Sequence, residues 1–502
     1  MKLKEAVNSV DGVIRWRKNL AWEAEIGRVT ADSRQVGADD VFIAARGEKH
    51  DGHHYIEQAL TLGAKAVILE DESHCRPAVP WILVKNSRRA LGQIMHVLAG
   101  RPSLGLNVIG VTGTNGKTTV THMIAAILAA ARQKVGLLGT IHNRIGDRES
   151  GAGLTTADSP ELAALFQRMV AENMDYAVME VSSHALAQSR VAGIVFDLAV
   201  FTNLSQDHLD FHHTMEEYLS EKAKLFAELR GQGEKNRKKA AILNLDDPAS
   251  DYLADYCQVP VITYGLSPLS HVRAEGVSLS PAGLDFSLVF NGQRFPIHSR
   301  LQGRFNVYNS LAAIAAALVE GVPMPVIQAA LAAMPPVPGR FQRVESERPL
   351  PFAVFVDYSH TPDSLENCLA TGRELCQGRV IAIFGAGGHR DRGKRPLMGE
   401  AAARLADICI ITSDNPRDEE PLSIIRDVQA GMGGPTGRAK ILTEPDRREA
   451  IGLGIALARE GDVVLICGKG HENYQIVGEE KLPFDDYTEA LAAIRERERA
   501  CS

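Results

Sequence analysis

The stretch Thr112-Gly-Thr-Asn-Gly-Lys-Thr-Thr119 carries the residue types that a phosphate cradle needs. Gly113 and Gly116 let the loop's backbone N–H groups approach phosphate oxygens. Lys117 neutralises the charge, and a helix starting here presents its positive end. Thr118 is placed to ligate Mg²⁺. A strict phosphate-loop pattern asks for glycine where this chain has Val111. A glycine-rich turn that binds nothing is the competing reading. It is disfavoured because the apolar run Val108 to Val111 precedes the loop and an amphipathic helical pattern follows it.

Glu180 closes a second apolar run that begins at Tyr176. A carboxylate at a strand end beside a phosphate loop commonly holds Mg²⁺, directly or through water, although capping the next segment competes with that role. Thr202 to His213 crowds Asp207, His208, Asp210, His212 and His213 together. His208 and His212 are four apart, which on a helix would suit one metal ion, so a metal hydrolase is one reading and a solvated polar loop another. Ser183-His184 lacks the glycine-flanked elbow of a serine hydrolase. Lys222 lies in the helical pattern Met215 to Phe226 and by itself reads as a surface lysine.

These groups need a frame. At 502 residues the chain suggests about three domains. Its net charge of −7 gives no basic field for nucleic acid. Seven scattered cysteines form no CxxC pair and read as reduced cytoplasmic thiols. Met1 to Ala6 lacks a signal-peptide core, and no apolar run approaches membrane-spanning length, so neither membrane nor nucleic acid is an expected partner.

The first unit, 1–102, has strands expected at Val41 to Ala45, Ala66 to Leu69 and Trp81 to Val84, with polar turns at Asp32-Ser33-Arg34 and 47–52. The second, 103–340, alternates strands with helices, adds a hairpin turning at Asn291-Gly292, and ends at the stiff Pro335 to Gly339. Its charged run Arg230 to Lys239 reads as a solvated loop. The third, 341–502, has strands at Ala353 to Val356, Val380 to Phe384, Ile408 to Ile411 and Val463 to Cys467. Four of its strand ends run into polar or glycine-rich loops, which suggests one shared ligand site. Gly385-Ala-Gly-Gly388 is weak evidence for a dinucleotide. Arg495 to Arg499 reads as an exposed helix end. The expected class is α/β: a central P-loop-type, mainly parallel sheet with helices on both faces, a Rossmann-like C-terminal domain and a smaller N-terminal α/β domain.

The loop Thr112 to Thr119, Met179-Glu-Val-Ser-Ser-His184, Thr202-Asn-Leu with Asp207-His-Leu-Asp210, Gly303-Arg-Phe-Asn306, Pro338-Gly-Arg340 and Asp357-Tyr-Ser-His360 resemble the Mur ligase family in order and spacing over nearly the whole chain. Asp32-Ser-Arg34, Thr155-Thr156, Gly388 to Pro396, Asp414-Asn-Pro-Arg417 and Gly468-Lys-Gly-His-Glu472 resemble the branch that adds the third peptide residue, and Asp-Asn-Pro-Arg is the version associated with meso-diaminopimelate.

The resemblance implies a reaction. ATP phosphorylates the D-Glu γ-carboxylate of UDP-N-acetylmuramoyl-L-Ala-D-Glu, and the diaminopimelate amine displaces phosphate from the acyl phosphate. It implies Lys117, His208 and Lys222 as catalytic residues, and Mg²⁺ held by Thr118, Glu180, His208 and a carbamylated Lys222, with Lys224 the runner-up position. ATP would be held by residues 113–119 with Asn306, Arg340, Asp357 and His360. The uridine end falls to Ala31, Ser33, Glu48, Lys49 and His50. The muramoyl-peptide falls to Thr155, Thr156, Ser183, Gln188 and Arg190, with Leu154 left out. Diaminopimelate falls to Arg390, Asp414, Asn415, Pro416, Arg417, Gly468 and Glu472. A cytoplasmic monomer is implied. The alternatives are a lysine-adding or folylpolyglutamate-synthase-like ligase, and a P-loop switch, for which the base-reading Asn-Lys-x-Asp is missing.

Overall fold

The structure is a computed structural model that describes residues 1–500 except 19, 48–49, 230–234, 236, 281–282 and 434–438. Its strands form three large sheets. In the first, Val13–Trp16 sits on one edge, antiparallel to Trp81–Val84, and Ala66–Leu69, Val41–Ile43 and Val29–Thr30 follow in parallel. The helix Ser87–Leu98 leads out of this domain.

The central sheet has eleven strands. Its parallel heart runs Val135–Leu138, Tyr176–Glu180, Asn107–Thr112, Leu198–Phe201, Ala240–Asn244 and Val261–Gly265. These strands read as continuous apolar runs because both faces are buried. Ile109 and Val111 pack on one side, and Val108 on the other. The first side holds Lys117–Ala130, which packs against Phe305–Val319 and Met324–Ala333. Ala312, Ala313, Ala315, Ala316 and Ala317 are all buried, and their small side chains let these helices approach closely. An antiparallel extension ends with Gly283–Phe290 and Gln293–Ser299. Its turn takes φ 49° at Asn291 and 75° at Gly292, as the Asn-Gly pair predicts.

The third sheet orders Gln342–Arg343, Ala353–Asp357, Val463–Cys467, Val380–Phe384, Ile408–Ile411 and Lys440–Thr443, parallel except at the first pair. The chain is thus a three-domain α/β fold. Among the described residues no helix is long and apolar enough to cross a membrane.

Several local expectations need correction. In the charged run, only 235 and 237–239 are described, and Lys235 is buried rather than solvated. Its ammonium donates to Asp197 Oδ2 (2.7 Å) and to the carbonyls of Val195 and Leu106. At the C-terminal helix end Arg495 and Arg499 are exposed as expected, whereas Arg497 stacks over Phe352 and donates to Ala458 O. Gly385 and Gly388 answer to packing rather than to a dinucleotide. A Cβ on either would lie 2.2 Å from Thr412 O or 2.0 Å from Pro416 O, so glycine lets adjacent strand-end loops touch. The six described cysteines are free, and Cys501 lies outside the described residues.

Candidate active site

Asn107–Thr112 is flanked by Tyr176–Glu180 on one side and Leu198–Phe201 on the other, so the glycine loop opens at the carboxyl ends of three parallel strands. Thr114 N and Asn115 N donate to Asn203 O (2.8 Å) and Oδ1 (2.9 Å), which pins the loop to the next strand end. Gly116 takes φ +86° as N-cap of Lys117–Ala130, and a Cβ there would lie 2.5 Å from Asn309 Oδ1. Glycine is required twice over at that position. Lys117 Nζ curls back to donate to Gly113 O and Thr114 O, both at 2.8 Å. A phosphate oxygen would replace these carbonyls.

Glu180 is buried and accepts from Thr118 Oγ1 (3.0 Å), Thr140 Oγ1 (2.9 Å) and Thr140 N (2.8 Å). From beyond the Pro-rich linker, Arg340 Nη2 donates to the same Thr118 Oγ1 at 2.8 Å. Hydroxyl and carboxylate oxygens that draw a positive group to one point match what a hard divalent cation needs.

Lys222 is 1% exposed, its Nζ donating to Gly113 O at 3.0 Å and lying 4.1 Å from the Tyr218 ring centroid. Among the described residues no carboxylate pairs with it. Burial pushes its pKa well below the usual lysine value, and Lys117 acts in the same direction. The surface-lysine reading is therefore wrong. Lys224, exposed and ion-paired with Glu221 at 2.6 Å, has the surface character instead. A buried neutral amine is the form that reacts with carbon dioxide to give an anionic oxygen donor, so a carbamate at Lys222 fits this position.

His208 does not share a helix face with His212. It precedes the short helix Leu209–His212 at φ +57°, and His212 Nε2 is paired with Ser183 Oγ at 2.9 Å. With His208 outside that helix and His212 bonded to Ser183, the i,i+4 pairing on one helix face that a shared metal ion would need is not formed. Burial pushes the His208 imidazole down to about 2, so it is neutral.

The C-terminal domain closes over this cleft of about 460 Å³. Asp357 accepts from Phe341 N (2.6 Å) and Ser359 N (2.8 Å), which fixes the loop carrying His360. Asp207 lies 3.3 Å from His208, 3.8 Å from His360 and 3.7 Å from Lys394, so one central-domain carboxylate meets two side chains of the C-terminal domain. Asn115 Nδ2 donates to Asp363 Oδ2 at 2.9 Å across the same gap. Asp207 and Lys394 stand in the quoted motifs, and their contact adds both to the cleft. Asn306 is buried behind the wall, donating to Gln302 O and accepting from Asn309, and Asn309 is the residue that lines the cleft.

The second group of candidates gathers at the C-terminal strand ends. Arg417 sits at φ +55°, held by Arg417 N to Ile476 O (3.0 Å) and Gly478 N to Arg417 O (2.7 Å) from the hairpin Tyr474–Val477/Glu480–Pro483. A Cβ on Gly387 would lie 3.3 Å from Arg417 Nη1 and 3.5 Å from Arg390 Cγ, so the two arginines flank one glycine. Neither has a carboxylate partner among the described residues. Burial, and then the charge of Arg390, lower the Arg417 pKa. Asn415 Nδ2 donates to Glu472 Oε2 (2.9 Å), and a Cβ on Gly468 would lie 2.7 Å from Asp414 Oδ2. Pro416 is buried, and its carbonyl packs against Gly388.

The third group is built around the 140–156 loops. Thr155 and Thr140 hydroxyls are 3.2 Å apart, Thr156 Oγ1 donates to Glu180 O at 2.9 Å, and Arg190 Nη1 donates to Thr156 O at 3.0 Å while holding Gln188. In the N-terminal domain Ser33 Oγ donates to Gln58, and Ala31 and His50 are exposed. Glu48 and Lys49 lie outside the described residues.

A glycine loop shaped to cradle phosphate, a carboxylate–hydroxyl cluster that fits a cation and a C-terminal domain packed over both are the features of a nucleotide-dependent ligase class of three α/β domains. Comparison with known proteins agrees. The Mur ligase middle domain profile matches residues 111–317, the Mur ligase glutamate ligase domain 339–470, and the Mur ligase family catalytic domain 25–97. A protein from Geobacillus thermodenitrificans named UDP-N-acetylmuramoyl-L-alanyl-D-glutamate–2,6-diaminopimelate ligase is 47% identical over 94% of this chain and 96% of its own. One of the same name from Geobacter sulfurreducens is 44% identical over 99% of each. A solved structure bearing that name aligns with TM-score 0.69 and 33% identity over 99% of both chains. A MurF ligase from Thermotoga maritima solved with ADP shares the fold at 18% identity and TM-score 0.60 over 95% of this chain and 98% of its own. The chain belongs to the Mur ligase family.

Proposed function

We propose that this chain is an ATP-dependent ligase that adds meso-diaminopimelate to the D-Glu γ-carboxylate of UDP-N-acetylmuramoyl-L-Ala-D-Glu in peptidoglycan precursor synthesis. One observation carries the reading. Arg390, beside Arg417, and Lys394, against Asp207 in the nucleotide cleft, stand on the same short segment, so one loop joins a carboxylate-seeking arginine pair to the phosphate cradle.

Lys117 and the loop amides hold the γ-phosphoryl group against the acid it must reach, and Arg340 adds positive charge there. Transfer of that group to the γ-carboxylate makes an acyl phosphate and ADP. The amine then attacks the acyl carbon, the acyl C–O bond to phosphate breaks, phosphate leaves with that electron pair, and the nitrogen gives up a proton. Thr118 and Glu180 would hold one Mg²⁺, and His208 with carbamylated Lys222 another. When bound, Mg²⁺ supplies charge neutralisation to the phosphates. Closure by Asp207, His360 and Lys394 excludes the water that would hydrolyse the acyl phosphate.

In this reading 1–102 binds the uridine end through Ala31, Ser33 and residues 48–50, 103–340 binds ATP and the muramoyl-peptide, and 341–502 binds the amino acid. Thr155, Thr156, Ser183, Gln188 and Arg190 take the peptide. Arg390 and Arg417 take carboxylate, and Asp414 and Glu472 take the distal ammonium, with Asn415 and Gly468 adding hydrogen bonds. The enzyme works as a cytoplasmic monomer. The test is the product mass after mixing ATP, the UDP-muramoyl-dipeptide and diaminopimelate. A UDP-muramoyl-tripeptide with one ADP per amide is expected, and ATP-independent turnover or no ligated product overturns the reading.

A further inference from the structure

The two acids assigned to the substrate's distal ammonium already have a cation between them. Lys469 is 0% exposed, and its Nζ donates to Glu472 Oε2 at 3.0 Å and to Asn415 Oδ1 at 3.1 Å, with Asp414 Oδ1 4.0 Å away. Asn415 Nδ2 in turn donates to Glu472, and Asn415 Oδ1 also accepts from Ile476 N at 2.9 Å. The ammonium is thus built in, fully enclosed, and held by the same side chains that the ligase reading assigns to the amino acid.

Its charge changes what the pocket selects. Arg390 and Arg417 set against Asp414 and Glu472 sum to zero, and Lys469 brings the total to +1. The far end of diaminopimelate carries an ammonium and a carboxylate and is neutral overall. The far end of L-lysine is a bare ammonium. A pocket with one surplus positive charge accepts the first and repels the second, and burial keeps that repulsion from being screened.

Resting on the ligase reading above, we infer that Lys469 is a specificity-determining residue, whose fixed ammonium biases the amino-acid pocket toward a zwitterionic end and against a lone cation. It touches the acids, not the reacting atoms, so it acts by position and charge.

The test compares wild type with Lys469→Gln, which keeps a hydrogen-bond donor and removes the charge. Lys469→Met removes both, and melting curves report folding. The kcat/KM ratio of diaminopimelate to L-lysine should fall about tenfold or more in Lys469→Gln, with the KM for ATP within twofold of wild type. An unchanged ratio, or equal losses for both amino acids and ATP, overturns the inference. Should Lys469→Gln fail to fold, Lys469→Met, which also removes the charge, reads the same property. The ratio should fall in that variant too, and an unchanged ratio overturns the inference. Failure of the ligase reading is seen separately, as absence of ligation by the wild type.

Discussion

Lys394 of the C-terminal domain approaches Asp207 of the central domain to 3.7 Å, and both side chains are buried. Asp207 is held well below the usual carboxylate range despite its burial. The hydrogen bond from His360 is the largest lowering cause, and the charge of Lys394 adds to it. The carboxylate is therefore charged and depends on groups from the opposite domain. Truncating one partner of such a pair leaves the other uncompensated, which costs about 2–5 kcal/mol. Lys394→Met should lower kcat at least roughly 30-fold. X-ray scattering should show the nucleotide-bound variant more expanded than wild type. An unchanged radius with reduced kcat would place Lys394 in chemistry rather than closure.

Lys222 and Lys224 make a paired comparison on one helix. Lys222→Ala should reduce turnover by roughly 10²-fold or more, the scale of losing one preorganised electrostatic group. Lys224→Ala, at an exposed ion pair, should stay within about twofold. Depleting carbon dioxide should slow the wild type, and bicarbonate should restore it. Steady-state rates in sealed, degassed buffer measure this, and indifference to bicarbonate argues against a carbamate.

For Arg417, removal of a charged hydrogen-bonding group should cost about 1.5–3 kcal/mol of amino-acid binding. Arg417→Ala should therefore raise the diaminopimelate KM roughly tenfold to a hundredfold and leave the ATP KM nearly unchanged. Equal effects on both substrates count against its carboxylate role.

Glu419 anchors the same region and yields a pH dependence. Arg395 Nη2 and Nη1 donate to its two oxygens at 2.9 and 3.0 Å, and Arg392 adds a third bond at 3.0 Å. Led by the Arg395 hydrogen bonds, these lower its pKa from 4.5 to about 2. A depressed carboxylate contributes stability that is fully present above pH 4.5 and lost as the pH falls toward 2. Glu419→Gln should be less stable by about 2 kcal/mol at neutral pH. Urea melts should show that gap shrinking as the pH falls from about 4.5 toward 2. A gap that stays constant with pH means the ion pair is not its source.

The sequence by itself determined whatever local pattern controls. The apolar runs Val108 to Val111, Tyr176 to Glu180 and Val463 to Cys467 read as strands, and Gly113 with Gly116 before Lys117 reads as a turn into a helix, as the structure has them. Family motifs extended that reading to side chains far apart in the chain. Tertiary structure alone decided which polar groups lost their water. Lys222, Lys235 and Lys469 look alike in sequence as lysines in charged or polar surroundings, yet all three are buried. Asn306 and Asn309 exchange places at the cleft wall because helix rotation, not residue type, chooses the exposed face. Arg417 reaches its left-handed backbone because a hairpin about sixty residues later bonds its N–H and carbonyl. Burial and charge balance are set by neighbours brought together through the fold, and no short window of sequence contains them.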